Sequence, residues 1–441
     1  MMNRRRFLAG CAGAGIASTF SINVLGANER VVIGIMGIHD RGMDLAREIV
    51  GRSDVELRYL ADPDTRLFKK RADLVAGSTG LRPKCVTDYR EILDDSEVDG
   101  LCIATPDHWH ALATIHACQA GKDVYVEKPT AHSIWESRKM VEAARKYDRV
   151  VQVGTQNRSA TYCEQARERV NAADFGDIHF VRIINAKQRG TIGRKADVPT
   201  PKGLDYDLWL GPASKRPFNE NRFHYNWHWF WDYSGGDVIN DGIHQIDLAR
   251  WLTGRTLPSA VSSVGGQHVF DDDRETPDTQ TINWEFDGLN MTLDQTLWSP
   301  YMKKHPFALR DEEDLPNWPF AGTRIEVYGT KQFMYLGRMG GGWQIFDSDG
   351  KTVGIQPGKF SPSNTKHMAN FIDSMRTRKR PNADIEEGHY STLLGHYGNI
   401  AYRTGRRLHI DPITEGFVDD AEANGFVRRA YRKPYVVPEE V

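Results

Sequence analysis

The chain has 441 residues, too many for one ordinary hydrophobic core, so two domains are expected. Its 57 basic and 59 acidic residues nearly balance, which excludes the basic surface typical of nucleic-acid-binding proteins. The five cysteines show no CxxC spacing, so neither a zinc site nor a disulfide framework is indicated, and we expect no bound metal.

The N-terminus carries a predicted export signal over residues 1–27. Arginines at positions 4 to 6 precede Phe7 and Leu8, and the uncharged run that follows is rich in Ala and Gly. This pattern is typical of a twin-arginine signal, which takes folded proteins through the twin-arginine translocation machinery. We therefore expect a periplasmic or otherwise exported protein, with cleavage near Ala27. A lipid anchor at Cys11 is the minor alternative, since almost no apolar segment precedes it.

Residues 28–150 read as a dinucleotide-binding domain. Short apolar runs alternate with amphipathic stretches, which predicts a doubly wound parallel sheet. Ser133 and Glu136 form a capping box that predicts a helix running to about Tyr147. The runs predicted as strands cover 31–36, 55–62, 98–106, 123–129 and 150–156.

The loop after the first run resembles the glycine-rich turn that binds a pyrophosphate. Gly37 and Gly42 occupy the outer positions of GxGxxG, but His39 takes the place of the middle glycine. Histidine tolerates a positive φ better than most residues, and Arg41 is positioned to face a phosphate. We therefore assign the loop, with Ile38, to the cofactor; an ordinary tight turn is the alternative.

Asp62 ends the second apolar run, where an acidic residue hydrogen-bonds the ribose hydroxyls of NAD and disfavours a 2′-phosphate. Its spacing of 25 residues from Gly37 is slightly longer than usual. Arg66 nearby leaves NADP open as a cofactor. NAD is the favoured prediction.

Three motifs together resemble one family. They are Ala104-Thr105-Pro106-Asp107-His108-Trp109-His110, Glu127-Lys128-Pro129, and the run from Gly235-Gly236 to His244-Gln245-Ile246-Asp247. The chain resembles the glucose-fructose oxidoreductase and inositol dehydrogenase (Gfo/Idh/MocA) family over nearly its whole length after the signal, and most closely the exported members.

The resemblance implies a Rossmann domain followed by an α/β domain, residues 151–441, with an open, mainly antiparallel sheet. That second domain would bind substrate and form a homo-oligomer through its exposed face. The resemblance makes Lys128 the central catalytic candidate, in contact with both nicotinamide and substrate. It also implies cofactor contacts from Thr105, Pro106, His110, Glu127, Lys128 and Gln156.

Lys128 suits hydride chemistry, because the reacting hydroxyl must lose its proton and a partly desolvated lysine has a lowered pKa. His244 lies on a helix predicted from about Ile243 to Leu252. Family dehydrogenases carry Asp four residues before this histidine, but here the position is Asn240, followed by Asp241. Asn240 cannot take a proton, so we assign His244 as the base and both preceding residues to the substrate; helix capping is the alternative for them.

An aromatic stretch, residues 222–231, precedes this helix. Aromatic faces pack against the C–H faces of sugars, so we assign Trp227 and Trp229 to the pocket wall, although such stretches are more often core. Arg158 and Lys187 are two further, weaker candidates for contact with a polyol.

These observations predict an exported NAD(P)-dependent oxidoreductase that acts on a sugar, glycoside or polyol. If NAD is scarce outside the cytoplasm, it must stay bound: a residence time of about an hour with association near 10⁶ M⁻¹s⁻¹ requires roughly −13 kcal/mol. A retained cofactor must also be regenerated in place, either by a second substrate or by oxidation, elimination, hydration and reduction, which is net glycoside hydrolysis. A non-catalytic sugar-binding protein is the third reading, against which the intact Glu127-Lys128-Pro129 argues.

Overall fold

The computed structural model describes residues 30–302, 311 and 314–441. The predicted export signal lies outside these residues. Within them, no helix has both the length and the apolar character needed to cross a bilayer.

The first sheet has six parallel strands in the order β3-β2-β1-β4-β5-β6. Strands β2 and β3 are added on one side of β1, and β4 to β6 on the other, so the strand order switches between β1 and β4. A doubly wound sheet binds its ligand at this switch point, outside the carboxyl ends of the strands. The strands are β1 Val31–Met36, β2 Val55–Ala61, β3 Lys84–Val86, β4 Gly100–Ile103, β5 Asp123–Val126 and β6 Val151–Val153.

Helices on both faces complete the predicted Rossmann architecture. The capping box is confirmed, since Ser133 Oγ accepts a hydrogen bond from the Glu136 amide and the helix begins at Ile134. The helices are α1 Asp40–Val50, α2 Phe68–Thr79, α3 Arg90–Leu93, α4 His110–Gln119, α5 Ile134–Lys146 and α6 Thr161–Val170.

The second sheet has nine strands and is mixed but mainly antiparallel, with β7 and β10 as its parallel pair. The predicted two-part α/β fold is thereby confirmed. The strand order is β14-β13-β12-β11-β7-β10-β9-β8-β15. The strands are β7 Ile178–Ala186, β8 Ala260–Gly266, β9 Thr279–Phe286, β10 Leu289–Thr296, β11 Thr323–Gly329, β12 Gln332–Gly337, β13 Trp343–Asp347, β14 Thr352–Gln356 and β15 Leu408–His409.

The remaining helices are α7 Tyr206–Leu210, α8 Ile243–Thr253, α9 Ser361–Thr377, α10 Ile385–Thr404 and α11 Ala421–Asn424. Helix α8 ends at Gly254, which adopts a left-handed φ of 66°. A π-helical turn, Val238–Gly242, runs directly into its start. The alternative that Asn240 or Asp241 caps this helix is therefore wrong, because both lie inside continuous helical backbone.

Residues 187–235, which we call the cover segment, cross back to the first sheet. The amide of Thr65 donates to Gly203 O at 2.9 Å, and the amide of Asp205 donates to Pro63 O at 2.9 Å. These bonds join the cover segment to the loop that follows β2. The second half of the chain thus closes over the edge of the first sheet where a ligand is expected.

Candidate active site

One cavity of about 440 Å³ lies between the first sheet and the cover segment. This volume falls in the usual range of small-molecule sites. Twelve predicted residues line it: Gly37, His39, Arg41, Asp62, Thr105, Pro106, Glu127, Lys128 and Gln156 from the first half of the chain, and Trp227, Asn240 and His244 from the second.

The glycine loop has the form that a pyrophosphate requires. Gly37 has a φ of 85°, and a Cβ there would lie 2.7 Å from Ala104 O; a Cβ at Gly42 would lie 1.9 Å from Gly37 O. The loop is therefore folded tightly, and no side chain caps the start of α1. Free amides at an uncapped helix N-terminus attract anions, so these residues fit the diphosphate of NAD.

His39, in the place of the middle glycine, has an ordinary negative φ of −73° and needs no special tolerance. Its ring turns away from the loop and stacks on His224 with 4.5 Å between ring centroids. His224 also lies 3.4 Å from Asp64. The histidine pair thus joins the glycine loop to the cover segment.

Asp62 occupies the position expected of a ribose-binding acid. Its Oδ2 accepts from the Ile38 amide at 3.0 Å and its Oδ1 from the Asp64 amide at 2.9 Å. Burial raises the pKa of Asp62 to about 6. Arg66, in contrast, forms a two-pronged pair with Asp64 at 2.6 and 2.7 Å and does not line the cavity.

Arg41 lines the cavity with its guanidinium paired to Glu127, Nε to Oε1, at 2.6 Å. Burial acts to raise the pKa of Glu127, but the charges of Arg41 and Lys128 outweigh it and hold that pKa below its usual value. The Glu127 carboxylate therefore stays ionised beneath the floor of the site.

Lys128 is half-buried, and its ammonium group is hydrogen-bonded by one residue, Asn240. Its Nζ donates to Asn240 O at 2.6 Å and to Asn240 Oδ1 at 3.4 Å. Burial lowers the pKa of Lys128, although nearby carboxylates oppose the shift. Lys128 therefore loses its proton more readily than an ordinary lysine, and it lies beside the expected position of the cofactor.

A buried ionic network lies behind Asn240. Lys187 forms ion pairs with Asp237, at 2.8 Å, and with Asp241, and Arg338 pairs with Asp241 at 3.1 Å. Lys187 and Asp241, predicted to contact substrate, thus support the wall behind Asn240 and do not line the cavity.

Five other predicted residues also lie outside the lining. Arg158 forms three hydrogen bonds with Asp247 at 2.8 to 3.0 Å, and its side chain is only 2% exposed. Trp229 is buried in an aromatic cluster, whereas Trp227, two residues earlier in the same 3₁₀ turn, reaches the cavity. Ile38, Gly42 and His110 lie behind the wall, with the His110 ring between Pro129 O and Thr105 O.

Several lining residues were not predicted, among them Asp107, Tyr225, His228 and Arg338. Asp107 stands in a quoted motif, and its place just past a strand end was an available signal. His228 lies in the aromatic stretch 222–231, of which only Trp227 and Trp229 were assigned to the pocket. Its Nδ1 hydrogen-bonds the Tyr225 carbonyl, and burial together with the charge of Lys128 lowers its pKa to about 3. No local pattern marks Arg338.

Within the described ranges, no three His, Cys, Asp or Glu side chains are arranged to hold a metal ion. The cysteines at 85, 102, 118 and 163 are free thiols.

Two family models match the chain. Residues 12–155 match the Gfo/Idh/MocA model described as an oxidoreductase family with an NAD-binding Rossmann fold. Residues 190–294 and 332–437 match the model of the same family's C-terminal α/β domain.

Similar proteins include the NAD(+)-dependent scyllo-inositol 2-dehydrogenase of Bacillus subtilis, 24% identical over 87% of this chain and 97% of that protein. A glycosyl hydrolase family 109 protein of a Shewanella strain is 27% identical over a shorter stretch, 27% of each chain. Among solved structures, the aldose-aldose oxidoreductase of Caulobacter crescentus, complexed with glycerol, shares the fold with a TM-score of 0.61 at 18% identity over 86% of this chain and all of that one.

Proposed function

The chain belongs to the Gfo/Idh/MocA family of NAD-binding oxidoreductases, and from this we propose that it transfers a hydride at a CH–OH carbon of a sugar, glycoside or polyol. The relative named scyllo-inositol 2-dehydrogenase, matched over nearly its full length, supports a polyhydroxylated substrate. The enzyme class and the cofactor follow from the family. The substrate, the residue roles and the export are our proposals.

One observation carries the proposal. A single cavity joins the uncapped start of α1 and Asp62, at one end, to Lys128 and His244 at the other. A dinucleotide bound by the glycine loop would extend along this cavity toward the lysine. The cofactor-binding and proton-transferring groups therefore share one enclosed space.

Each wall has a distinct task. When bound, NAD supplies the hydride acceptor. Asp62 holds the ribose hydroxyls and the α1 N-terminus holds the diphosphate. Lys128 exchanges the proton of the substrate hydroxyl, and His244 stands on the substrate side of the same cavity. Trp227 offers an aromatic face to the C–H face of a sugar ring.

We propose further that the protein is exported with its cofactor already bound. The arginine pattern at positions 4 to 6 supports the twin-arginine route, which carries folded proteins. The cover segment supports retention, because it closes the cavity against the loop after β2. A homo-oligomer formed through the open face of the second sheet completes the proposal.

A second candidate is redox-neutral glycoside hydrolysis, in which the same sugar is oxidised, eliminated, hydrated and reduced. Two observations favour it: the similarity to a family 109 glycosyl hydrolase, and Asn240 at the position where family dehydrogenases carry Asp. In such a cycle the cofactor ends in its starting redox state.

The test is to purify the full chain from its exported compartment without added cofactor and to identify the bound nucleotide by mass spectrometry. Inositols, free sugars and aryl glycosides are then added while the absorbance of reduced nicotinamide is followed. Lasting reduction supports a dehydrogenase, and release of the aryl group without lasting reduction supports the hydrolytic cycle. Protein that contains no nucleotide would contradict export with bound NAD.

A further inference from the structure

We infer that Asp107 is the carboxylate that exchanges a proton with Lys128 during turnover, in place of the acid missing at position 240. The inference rests on the function proposed above. Asp107 acts through the lysine and not on the substrate, so it is a positioning residue in the proton path.

Asp107 and Lys128 enter the cavity from neighbouring strands. Asp107 comes four residues after the end of β4, Lys128 comes two residues after the end of β5, and these strands pair in parallel through Ile103 and Val126. Parallel neighbours end at the same edge of a sheet, and both side chains line the cavity there. Asp107 is only 2% exposed, and Ser234 Oγ donates to its Oδ2 at 2.5 Å.

The other carboxylates that line the cavity are already engaged. Asp107 alone among them has neither an ion pair within 4 Å nor a backbone amide from another residue, as far as the described residues show. The engaged groups are Asp40 with His39, Asp44 with Arg47, Asp62 with two backbone amides, and Glu127 with Arg41.

On the opposite side, Lys128 Nζ donates its hydrogen bonds to two neutral oxygen atoms of Asn240. Asn240 Nδ2 donates to Asp237 Oδ1 at 3.3 Å, which fixes the amide so that its Oδ1 faces Lys128. Asp237 and Asp241 are themselves paired with Lys187. The carboxylates on this side are therefore bound to another cation, which leaves Asp107 as the lining carboxylate for this role.

The electrostatics of the two groups match this assignment. Burial raises the pKa of Asp107 to about 7, with Glu127 adding to the rise, while Ser234 and Lys128 oppose it. Burial lowers the pKa of Lys128, which brings it closer to that of Asp107. Two groups whose pKa values approach each other exchange a proton with little free-energy cost.

The proton path balances. The substrate hydroxyl loses its proton to the neutral Nζ of Lys128 while its carbon loses a hydride to the nicotinamide, and a carbonyl forms. Asp107 and Lys128 form no direct ion pair, so a water molecule in the cavity that both line relays one proton from the resulting ammonium to the Asp107 carboxylate, which restores the neutral amine. The reverse order serves the reduction of a carbonyl.

The deciding experiment titrates Lys128 directly in the purified full-length protein. Isotope-labelled lysine reports protonation through its Cε resonance, and the resonance that Lys128→Arg lacks belongs to Lys128. In Asp107→Asn the nearby negative charge is lost, so we expect the midpoint of Lys128 to move down by about one pH unit, a tenfold change. An unmoved midpoint would overturn the inference.

Activity provides the second readout. Asp107→Asn should lower kcat by about 10²-fold with little change in KM, and the limb that Asp107 contributes to the pH profile should disappear. If no substrate is turned over, the titration still decides, so failure of the proposed function and failure of this inference are distinguishable.

Two further variants keep the test sharp. Ser234→Ala removes the hydrogen bond that favours the ionised carboxylate, so the pKa of Asp107 should rise and the titration midpoint of Lys128 should fall. This variant replaces Asp107→Asn if the latter does not fold. An unchanged Lys128 midpoint in Ser234→Ala would also count against the inference. Asp73→Asn is the matched control, because this surface acid pairs with Lys69 and Arg82, away from the cavity. It should leave titration and turnover unchanged, and a shift there equal to that of Asp107→Asn would refute a specific coupling.

Discussion

Lys128 and Lys187 stand on opposite sides of Asn240; Lys187 is buried and Lys128 half-buried, and their surroundings differ. Lys187 meets two carboxylates, those of Asp237 and Asp241, whereas Lys128 meets the carbonyl and amide oxygens of Asn240. Lys187 lies between two carboxylates, and its ion pairs hold the wall together. A lysine held by neutral acceptors keeps its position while its proton remains exchangeable, and for this reason we propose Lys128, not Lys187, as the catalytic lysine.

The largest expected effect is on catalysis, when the lysine held by neutral oxygen atoms is removed. Lys128→Met should lower kcat/KM by about 10²- to 10⁴-fold, because the site loses the group that exchanges the hydroxyl proton. Bound nucleotide and melting temperature should change little, since no carboxylate is left without its ion pair. Steady-state kinetics and nucleotide content measure this. Turnover at the wild-type rate would remove the lysine from the mechanism.

Lys187→Met should instead lower the stability of the protein. It leaves the carboxylates of Asp237 and Asp241 buried with one cation fewer, which typically costs about 3–5 kcal/mol. We expect this loss in the free energy of unfolding from urea denaturation, with activity falling only as the folded fraction falls. A folded but inactive variant would instead give Lys187 a direct part in the chemistry.

Asn240→Asp makes the two lysines more alike. A carboxylate at 240 would lie where Oδ1 is now, 3.4 Å from Lys128 Nζ, and would favour the ammonium. The amine form exists only above the pKa of Lys128, so the limb along which oxidation rises with pH should move to higher pH by about one unit. The pH profile of kcat/KM measures this, and a limb that stays in place would show that residue 240 does not set the lysine's proton affinity.

Lys69 completes the series with the smallest effect. It pairs with Asp73 one turn away on the exposed surface of α2. Solvent screens such a pair, so Lys69→Ala should change neither the melting temperature nor kcat/KM measurably. A clear loss of stability would mean that burial is not what separates the three lysines.

The sequence predicted what is local to a strand or helix. Asp62 was assigned because ligands bind at the ends of parallel strands, Lys128 because its motif resembles that of the family, and the α5 cap followed from four consecutive residues. Trp227 and Trp229 could not be separated, because positions two apart in a 3₁₀ turn point to different sides and only the packed structure shows which side faces the cavity.

Contacts between distant parts of the chain escaped prediction. Arg158 was assigned to the substrate, but Asp247, 89 residues later, binds it in the core. Arg338 reaches the cavity from the end of β12 with no local pattern to announce it. The π-helical turn at Asn240 was also not predicted, since its sequence reads as an ordinary helix start.

That turn has an evolutionary consequence. The shorter of the two hydrogen bonds that hold Lys128 ends on the main-chain carbonyl of residue 240, which every amino acid possesses. Substitution at this position can exchange a carboxylate for an amide and so retune the lysine without displacing it. A single replacement at position 240 can therefore change the pKa of Lys128 without loss of the main-chain hydrogen bond that positions it.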